Sequence, residues 1–377
     1  MLDLEGRALA AELVDLFGRG VDAPLSDDAF DDLARRVFVY QFEHNAPYAA
    51  YCRRRGLLPD VVDHWSRIPA VATAAFKEVA LVCGDPREVD AVFRTSGTTL
   101  GRERRGEHYI PDLSLYHTSL LPNFVAHLFP DGAEMPILSL IPSAREMVDS
   151  SLAHMVSVVM DRLGGAGSGT FATVALGLDL DGLARALRRF EAERTPVCLL
   201  GTSFSFVHLI DGLRERGESF RLAAGSRLMD TGGFKGRSRE VPEEELRAAY
   251  EELLGIPPDY AVNEYGMTEM CSQFYDNVLR DRVRHGAVAP RHKVGPPWVR
   301  TVVVSPETLE PLPPGEVGIL RHYDLANLGS VIGIQTEDLG RAVEGGFVVL
   351  GRATGAPPRG CSIAMDLLLQ AVEGRGR

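Results

Sequence analysis

Four hydroxyl side chains, Thr95, Ser96, Thr98 and Thr99, and two glycines, Gly97 and Gly101, stand together in FRTSGTTLGRERR, directly after a short apolar run. Small residues let the backbone turn tightly and aim N–H groups inward at an anion. Hydroxyls add donors suited to phosphate oxygens. Arg102, Arg104 and Arg105 follow with local positive charge. The pattern is neither GxxxxGK[ST] nor GxGxxG, so by itself it reads equally as a polar surface loop. A second segment, NEYGMTEM at 263–270, brings Tyr265, Gly266, Thr268 and Glu269 into a loop expected after a strand. A carboxylate beside a hydroxyl suits Mg²⁺, which takes a few protein oxygens together with phosphate and water; Glu269 alone is equally a solvated acid. A third point is Cys361 in RGCSIAMD. Arg359, two residues earlier, favours a thiolate, the nucleophilic form of the side chain. By its residue type alone, Cys361 reads as a small buried apolar side chain.

The 377 residues are 45% hydrophobic and 24% charged, with a formal net charge of −12. That is enough apolar material for a large core and for more than one lobe. An acidic surface offers no field to attract nucleic acid or anionic lipid, so a nucleotide has to be held by a local site. No run of about 18 apolar residues suggests a membrane span. The opening MLDLEGRALAAELVDLFGRG reads as an amphipathic helix and not as a signal peptide. Five scattered cysteines without a CxxC pair argue against a zinc site and a disulfide framework, and point to the cytoplasm.

These candidate residues need elements to hold them. Residues 1 to about 90 read as mostly helical, broken at Pro69. Strand and helix patterns then alternate: AVFR, PDLSLYHTSLLPNFVAHLF, MPILSLIPS, SSLAHMVSVVMDRLG, DGLARALRRFEAER, TPVCLLGTS, SRLMDTGG, VPEEELRAAYEELLG and DYAVNEY. The alternation predicts an α/β fold with a partly parallel sheet. From about 290 the pattern shifts to short strands joined by Pro/Gly turns. The expected division is therefore 1–290, a helical start plus α/β core, and 291–377, a smaller β-rich subdomain. Phe204 and Phe206 in LLGTSFSFVHLI wall a substrate pocket or belong to plain core; both readings stand. The histidines show no metal-ligand spacing, so no metal beyond Mg²⁺ is assigned.

TSGTT and YGMTE, about 170 residues apart, resemble the adenylate-forming superfamily. FRTSGTT, MDTGGFKGRSRE, NEYGMTE, QTEDLG and GRATGAPPRGCSIAMD, in this order over roughly residues 90–366, resemble the acyl-protein synthetase family, the synthetase component of the bacterial-luminescence fatty-acid reductase. The resemblance implies a large adenylate-forming lobe with a smaller C-terminal part, the mobile C-terminal domain of ordinary acyl-CoA ligases being truncated and its late catalytic lysine missing. It implies ATP and Mg²⁺, a carboxylic, fatty acid converted to an acyl-adenylate, and transfer of the acyl group to a thiol. Thr95, Ser96, Gly97, Thr98 and Thr99 would clamp the β- and γ-phosphates. Gly232 and Gly233 would lie along adenine, Tyr265 would stack near the base beside Gly266, and Thr268 would hold the α-phosphate. Glu269 would ligate Mg²⁺, Asp338 would take the ribose hydroxyls, and Arg352 would stand near ribose or phosphate. Cys361 would accept the acyl group.

Two departures qualify the resemblance. Leu100 stands where a glycine usually follows the threonines, with arginines in place of the next lysine; and the late catalytic lysine is expected to be absent, which leaves Lys235 or a loop arginine to supply the positive charge. The implied partner is an acyl reductase. Coenzyme A, an acyl carrier protein or an amine is the alternative acceptor, and a non-catalytic nucleotide-binding scaffold is the alternative from another class.

Overall fold

The computed structural model describes residues 2–96, 105–232, 241–353 and 369–370. The amino-terminal segment is helical, as its spacing predicts. α1 (Leu4–Gly18) buries Gly6, Leu9, Ala10, Leu13 and Phe17 as one stripe, and Asp3 caps it by accepting from the Gly6 N–H. α2 (Asp27–His44) starts at Ser26, whose hydroxyl accepts from the Ala29 N–H, with Asp27 and Asp28 at the positive end of the helix dipole. α3 (Ala46–Arg55) is capped by Asn45 and stopped by Gly56 at φ 66°. Gln41 and Asn45 are fully buried and reach from these helices to the main chain of 327–332. Gln41 donates to the Asn327 and Leu328 carbonyls and accepts from the Ile332 N–H, while Asn45 donates to the Ser330 carbonyl.

β1 (Val71–Ala72) precedes a hairpin of β2 (Ala91–Arg94) and β3 (Glu107–Ile110). The expected alternation follows: α4 (Leu113–Leu128), β4 (Ile137–Ser139), α5 (Ser151–Leu163), β5 (Gly169–Thr170), a small hairpin of β6 (Ala172–Thr173) and β7 (Gly177–Leu178), α6 (Leu180–Glu193), β8 (Cys198–Thr202), α7 (Ser203–Arg216), β9 (Arg227–Thr231), α8 (Glu243–Leu254) and β10 (Ala261–Tyr265). The chain then runs through β11 (Phe274–Asp276), α9 (Val278–His285), β12 (Lys293–Val294), β13 (Val299–Val304), β14 (Val317–Asp324), β15 (Gly333–Val343) and β16 (Gly346–Arg352). One mixed sheet has the order β13-β14-β15-β16-β12-β11-β10-β9-β8-β4-β5, with β1 added alongside β15. β5, β4, β8, β9 and β10 pair in parallel, and every neighbour from β10 to β13 is antiparallel. The late β-rich stretch joins the rest through the Lys293–Phe347 pairing of β12 with β16.

Parallel strands buried on both faces read as near-continuous apolar runs, and alternation assigns their side chains to two cores. Leu200, Met229 and Val262 face one core, shared with Leu13, Phe38, Phe124 and Val156 from the helices α1, α2, α4 and α5. Leu199, Leu228 and Ala261 face the other, shared with Leu187, Phe206 and Leu253 from α6, α7 and α8. Phe206 is fully buried there against Tyr250, with ring centroids 5.1 Å apart, and so belongs to the core rather than to an acyl wall. The carboxyl ends of β8, β9 and β10, where parallel α/β sheets bind ligands, finish at Thr202, Thr231 and Tyr265.

Candidate active site

The hydroxyl-rich loop lies between β2 and β3, and its base is tied shut. The Thr95 N–H donates to the Gly106 carbonyl at 2.9 Å, and the Thr95 hydroxyl accepts from the Gly106 N–H at 2.9 Å. Arg105 donates to the Thr95 carbonyl at 2.6 Å, to the Arg94 carbonyl at 3.1 Å and to the Asp149 carboxylate at 2.7 Å. The Arg94 N–H donates to the Asp149 carbonyl at 2.7 Å. Arg105, expected from sequence to add phosphate-binding charge, is therefore engaged in fastening the loop to the turn that begins α5. The returning strand β3, which makes this possible, was not foreseen in the sequence.

Three predicted residues from distant parts of the chain meet at the end of β10. The Tyr265 hydroxyl donates to Asp338 Oδ2 at 2.8 Å, and Arg352 Nε lies 3.4 Å from Asp338 Oδ1. The antiparallel register of β15 with β16 sets Asp338 opposite Arg352. The Arg352 side chain is 64% exposed, so this ion pair adds little to stability and leaves the guanidinium available. The Tyr265 ring packs against Phe274, His322 and Phe347. Burial pushes the Tyr265 hydroxyl well above its usual range, with the Asp338 charge adding to the effect, so the phenol stays a donor. His322 is buried and pushed down to about 3, hence neutral, and it bonds the Thr301 hydroxyl at 2.9 Å. Gly232 turns at φ 74° at the end of β9, and a Cβ there would meet nothing within 4 Å among the described residues.

The loop after β10 carries Thr268 and Glu269. His108 of β3 donates from Nδ1 to the Thr268 carbonyl at 2.8 Å, which couples the strand that follows the hydroxyl-rich loop to this second loop. Burial holds His108 down at about 4, so the ring is neutral. Glu269 is buried, and its carbonyl accepts from Asn327 at 2.9 Å. Asp324 accepts from the Ser272 N–H at 2.8 Å, the Ser272 hydroxyl at 2.7 Å and the Cys271 N–H at 3.2 Å; Asn327 Oδ1 accepts from the same Cys271 N–H at 2.9 Å. Burial lifts Asp324 to about 6, against the pull of those donors. Asn327 is in turn gripped by Gln41, so α2 positions the loop at one remove.

The strand ends differ in charge between the two faces. On one, Asp276 accepts from the Asn263 N–H at 3.0 Å and pairs with Arg291 and with Lys293 at 2.9 Å, while Asp230 accepts from Asn263 at 2.8 Å and Tyr250 at 3.0 Å. Burial raises Asp276, but Lys293 and Arg291 outweigh it and hold the carboxyl below its ordinary value. On the other face Glu264 is buried with Thr231, whose hydroxyl donates to Oε2. Burial lifts Glu264 to about 7, only partly opposed by Thr231 and Lys293.

Comparison with known proteins decides the class. A family model described as "Acyl-protein synthetase, LuxE" matches residues 175–370, more than half of the chain. The chain belongs to the acyl-protein synthetase, LuxE family. The "Long-chain-fatty-acid--luciferin-component ligase" of Vibrio harveyi is 23% identical over 391 residues, covering 99% of this chain and 97% of the relative. The protein of the same name from Aliivibrio fischeri is 23% identical over 359 residues, covering 90% and 88%. Among solved structures, an open conformation of 2-hydroxyisobutyryl-CoA ligase in complex with 2-HIB-AMP and CoA aligns with TM-score 0.61 at 17% identity, over 86% of this chain and 69% of that one. ATP-bound MatB from Rhodopseudomonas palustris aligns with TM-score 0.50 at 17% identity, over 72% and 49%. The α/β adenylate-forming fold expected from sequence is borne out.

The LuxE-family match takes in Gly232, Tyr265, Asp338, Arg352 and Cys361; the phosphate loop precedes it. Gly97, Thr98, Thr99, Gly233, Lys235 and Cys361 lie outside the described residues, as do Arg102 and Arg104. Among the described residues, the structure gathers Tyr265, Asp338 and Arg352, and links Thr268 to the phosphate-loop hairpin through His108. Sequence reasoning weighed His108 only as a metal ligand, and passed over Asn263, Glu264, Asp276, Lys293, Asp324 and Asn327. Asn263 and Glu264 stood inside the quoted NEYGMTE, where a charged residue in an expected buried strand was the available signal. Lys293, Asp324 and Asn327 carry no motif.

Proposed function

We propose that this chain activates a carboxylic acid with ATP and passes the acyl group to a thiol. A carboxylate oxygen attacks the α-phosphorus of ATP, the bond to the bridging oxygen breaks, and pyrophosphate leaves. A thiolate then attacks the acyl carbonyl, and AMP leaves with the electron pair of the broken C–O bond. The observation that carries the reading is the convergence of Tyr265, Asp338 and Arg352 beside Gly232 at the carboxyl ends of the sheet, in a chain of this family. Asp338 Oδ2 is held by Tyr265 and Oδ1 faces the exposed Arg352, so this oxygen and the guanidinium together would meet the ribose hydroxyls, with phosphate as the alternative partner of Arg352. Gly232 and Gly233 line adenine. Thr95, Ser96, Gly97, Thr98 and Thr99 hold the outer phosphates, with Thr95 also closing the loop, and Thr268 holds the α-phosphate.

Glu269 supplies the carboxylate for Mg²⁺. Among the described residues no cluster of three ligating side chains exists. One buried carboxylate beside a hydroxyl fits an ion that arrives with its phosphates and keeps water in most positions. With Arg105 committed to Asp149, the cation acting on the leaving pyrophosphate is Lys235, Arg102 or Arg104. Cys361 is the acyl acceptor, and the acid is of the fatty class named for the Vibrio harveyi relative. An acyl reductase is the onward partner. Incubation with labelled acid and ATP tests the transfer: a hydroxylamine-labile label on the protein, lost in Cys361→Ala, is expected. Label found only on added coenzyme A, carrier protein or amine would move the acceptor elsewhere.

A further inference from the structure

Thr268 and Glu269 follow one another in the loop after β10, and each of their carbonyls is held by a side chain from a distant part of the chain. The Thr268 carbonyl accepts from His108 Nδ1 at 2.8 Å, and the Glu269 carbonyl accepts from Asn327 Nδ2 at 2.9 Å. These carbonyls belong to the peptide planes on either side of the Glu269 Cα. A chain of planar peptides has only φ and ψ to turn about. Fixing both planes therefore fixes the Glu269 backbone and the direction of its Cα–Cβ bond. The first plane is also the one that follows the half-buried Thr268 side chain.

The two holders differ in what they cost the fold. Asn327 is well satisfied: Nδ2 also donates to the Val331 carbonyl at 3.2 Å, and Oδ1 accepts from the Cys271 N–H at 2.9 Å. His108 is not. Strand alternation in β3 turns it inward, in register with Phe93 and edge-on to Phe76 with 5.6 Å between ring centroids. A carbonyl only accepts, so Nδ1 carries the proton, and burial keeps the ring neutral. Nε2 is then a bare acceptor, buried without a hydrogen-bond partner among the described residues. An acceptor in that state costs free energy, and native proteins keep few of them. Phe76 and Phe93 show that the surroundings suit an apolar side chain, which would carry no such cost. What the imidazole returns is its one bond at Nδ1.

We propose that His108 is a positioning residue for adenylation: its Nδ1–H on the Thr268 carbonyl, with Asn327 on the next carbonyl, aims the Thr268 hydroxyl and the Glu269 carboxylate at the nucleotide. The assignment rests on the acid-activation reading and adds to it a residue outside the motifs. His108 stands two residues after Gly106, whose main chain closes the base of the hydroxyl-rich loop. One strand thus sets the groups for the outer phosphates against those for the α-phosphate and Mg²⁺. A misplacement of about 1 Å caused by a change away from the reacting atoms costs up to roughly 10²-fold in rate.

Three substitutions in the full chain test the assignment. His108→Leu removes both ring nitrogens, His108→Gln brings an amide to where Nε2 stood, and His108→Asn brings one to where Nδ1 stood. In acid-dependent pyrophosphate exchange, His108→Leu and His108→Gln are expected to lower kcat by about 10- to 10²-fold with little change in KM for the acid. His108→Asn is expected to recover most of that loss. Thermal melts are expected to place His108→Leu at or above wild type, because the bare acceptor is gone. Calorimetry of ATP binding with and without Mg²⁺ reads the same geometry apart from turnover: the gain in affinity from Mg²⁺ shrinks in His108→Leu and His108→Gln and is kept in His108→Asn. Equal losses of kcat in His108→Asn and His108→Gln overturn the proposal, as does wild-type kcat in His108→Leu. If His108→Leu fails to fold, the comparison of His108→Asn with His108→Gln decides alone. If ATP binds but no acid supports exchange with wild type, the activation reading itself fails. The Mg²⁺ gain then decides the hold on Glu269 separately, and an equal gain in wild type, His108→Gln and His108→Asn sinks it.

Discussion

Asp276 and Glu264 lie on neighbouring strands of one sheet, both are almost fully buried, and they face opposite ways. Asp276 has two cations and a backbone N–H; Glu264 has a threonine hydroxyl. The first carboxyl is held below its ordinary value by Lys293 and Arg291 in spite of burial, and the second is lifted by burial to about 7. Motif position does not separate them, but satisfaction does. A carboxylate answered by two cations and a backbone N–H holds strands together, and one answered only by a threonine hydroxyl is left to burial, which favours its neutral form.

The comparison breaks if the two residues respond alike to substitution. Asp276→Ala strands Lys293 and Arg291 without their shared partner, and removal of one member of a buried pair costs about 3–5 kcal/mol. Equilibrium unfolding should show that loss, whereas Glu264→Gln should shift stability far less at neutral pH. A pH series sharpens the contrast. The raised Glu264 value, about 7 against an ordinary 4.5, means that the unfolded chain ionises first as pH rises from 4.5 to 7. Stability should therefore fall through that window, by at most on the order of 3 kcal/mol, and Glu264→Gln should flatten this part of the profile.

Smaller effects follow at the edges of the site. Gly266→Ala drives a Cβ into Glu264 Oε1 and should cost about 1–3 kcal/mol as the carboxyl is forced aside. The double variant Gly266→Ala/Glu264→Ala should be less destabilised than the sum of the singles; strict additivity would show that the two do not touch. Arg105→Ala, which removes a part-exposed pair with Asp149, should change stability by about 1 kcal/mol or less. It should raise KM for ATP several-fold, because the base of the phosphate loop loses its fastening; an unchanged KM would assign Arg105 to surface solvation.

Much of this was legible in the sequence. The helical opening, the alternation to β10 and the β-rich end follow from periodicity, and the family resemblance points to Tyr265, Asp338 and Arg352 one by one, each for a different part of the nucleotide. The β2–β3 hairpin was missed because four-residue strands flanking a polar loop carry little period-two signal. Arg105 was misread because charge in a motif does not reveal that Asp149, more than forty residues on, will neutralise it. Glu264, Lys293, Asp324 and Asn327 were missed because their roles arise from lateral register and tertiary contact, and spacing along one strand encodes neither.

The central claim, that this chain makes acyl-adenylates, is tested most directly by ATP–pyrophosphate exchange with the wild-type protein across a broad acid panel with Mg²⁺. Exchange that depends on the acid, and that falls sharply in Asp338→Ala, is the expected result. Tight ATP binding with no acid-dependent exchange from any acid would contradict the claim and leave a nucleotide-binding scaffold in its place.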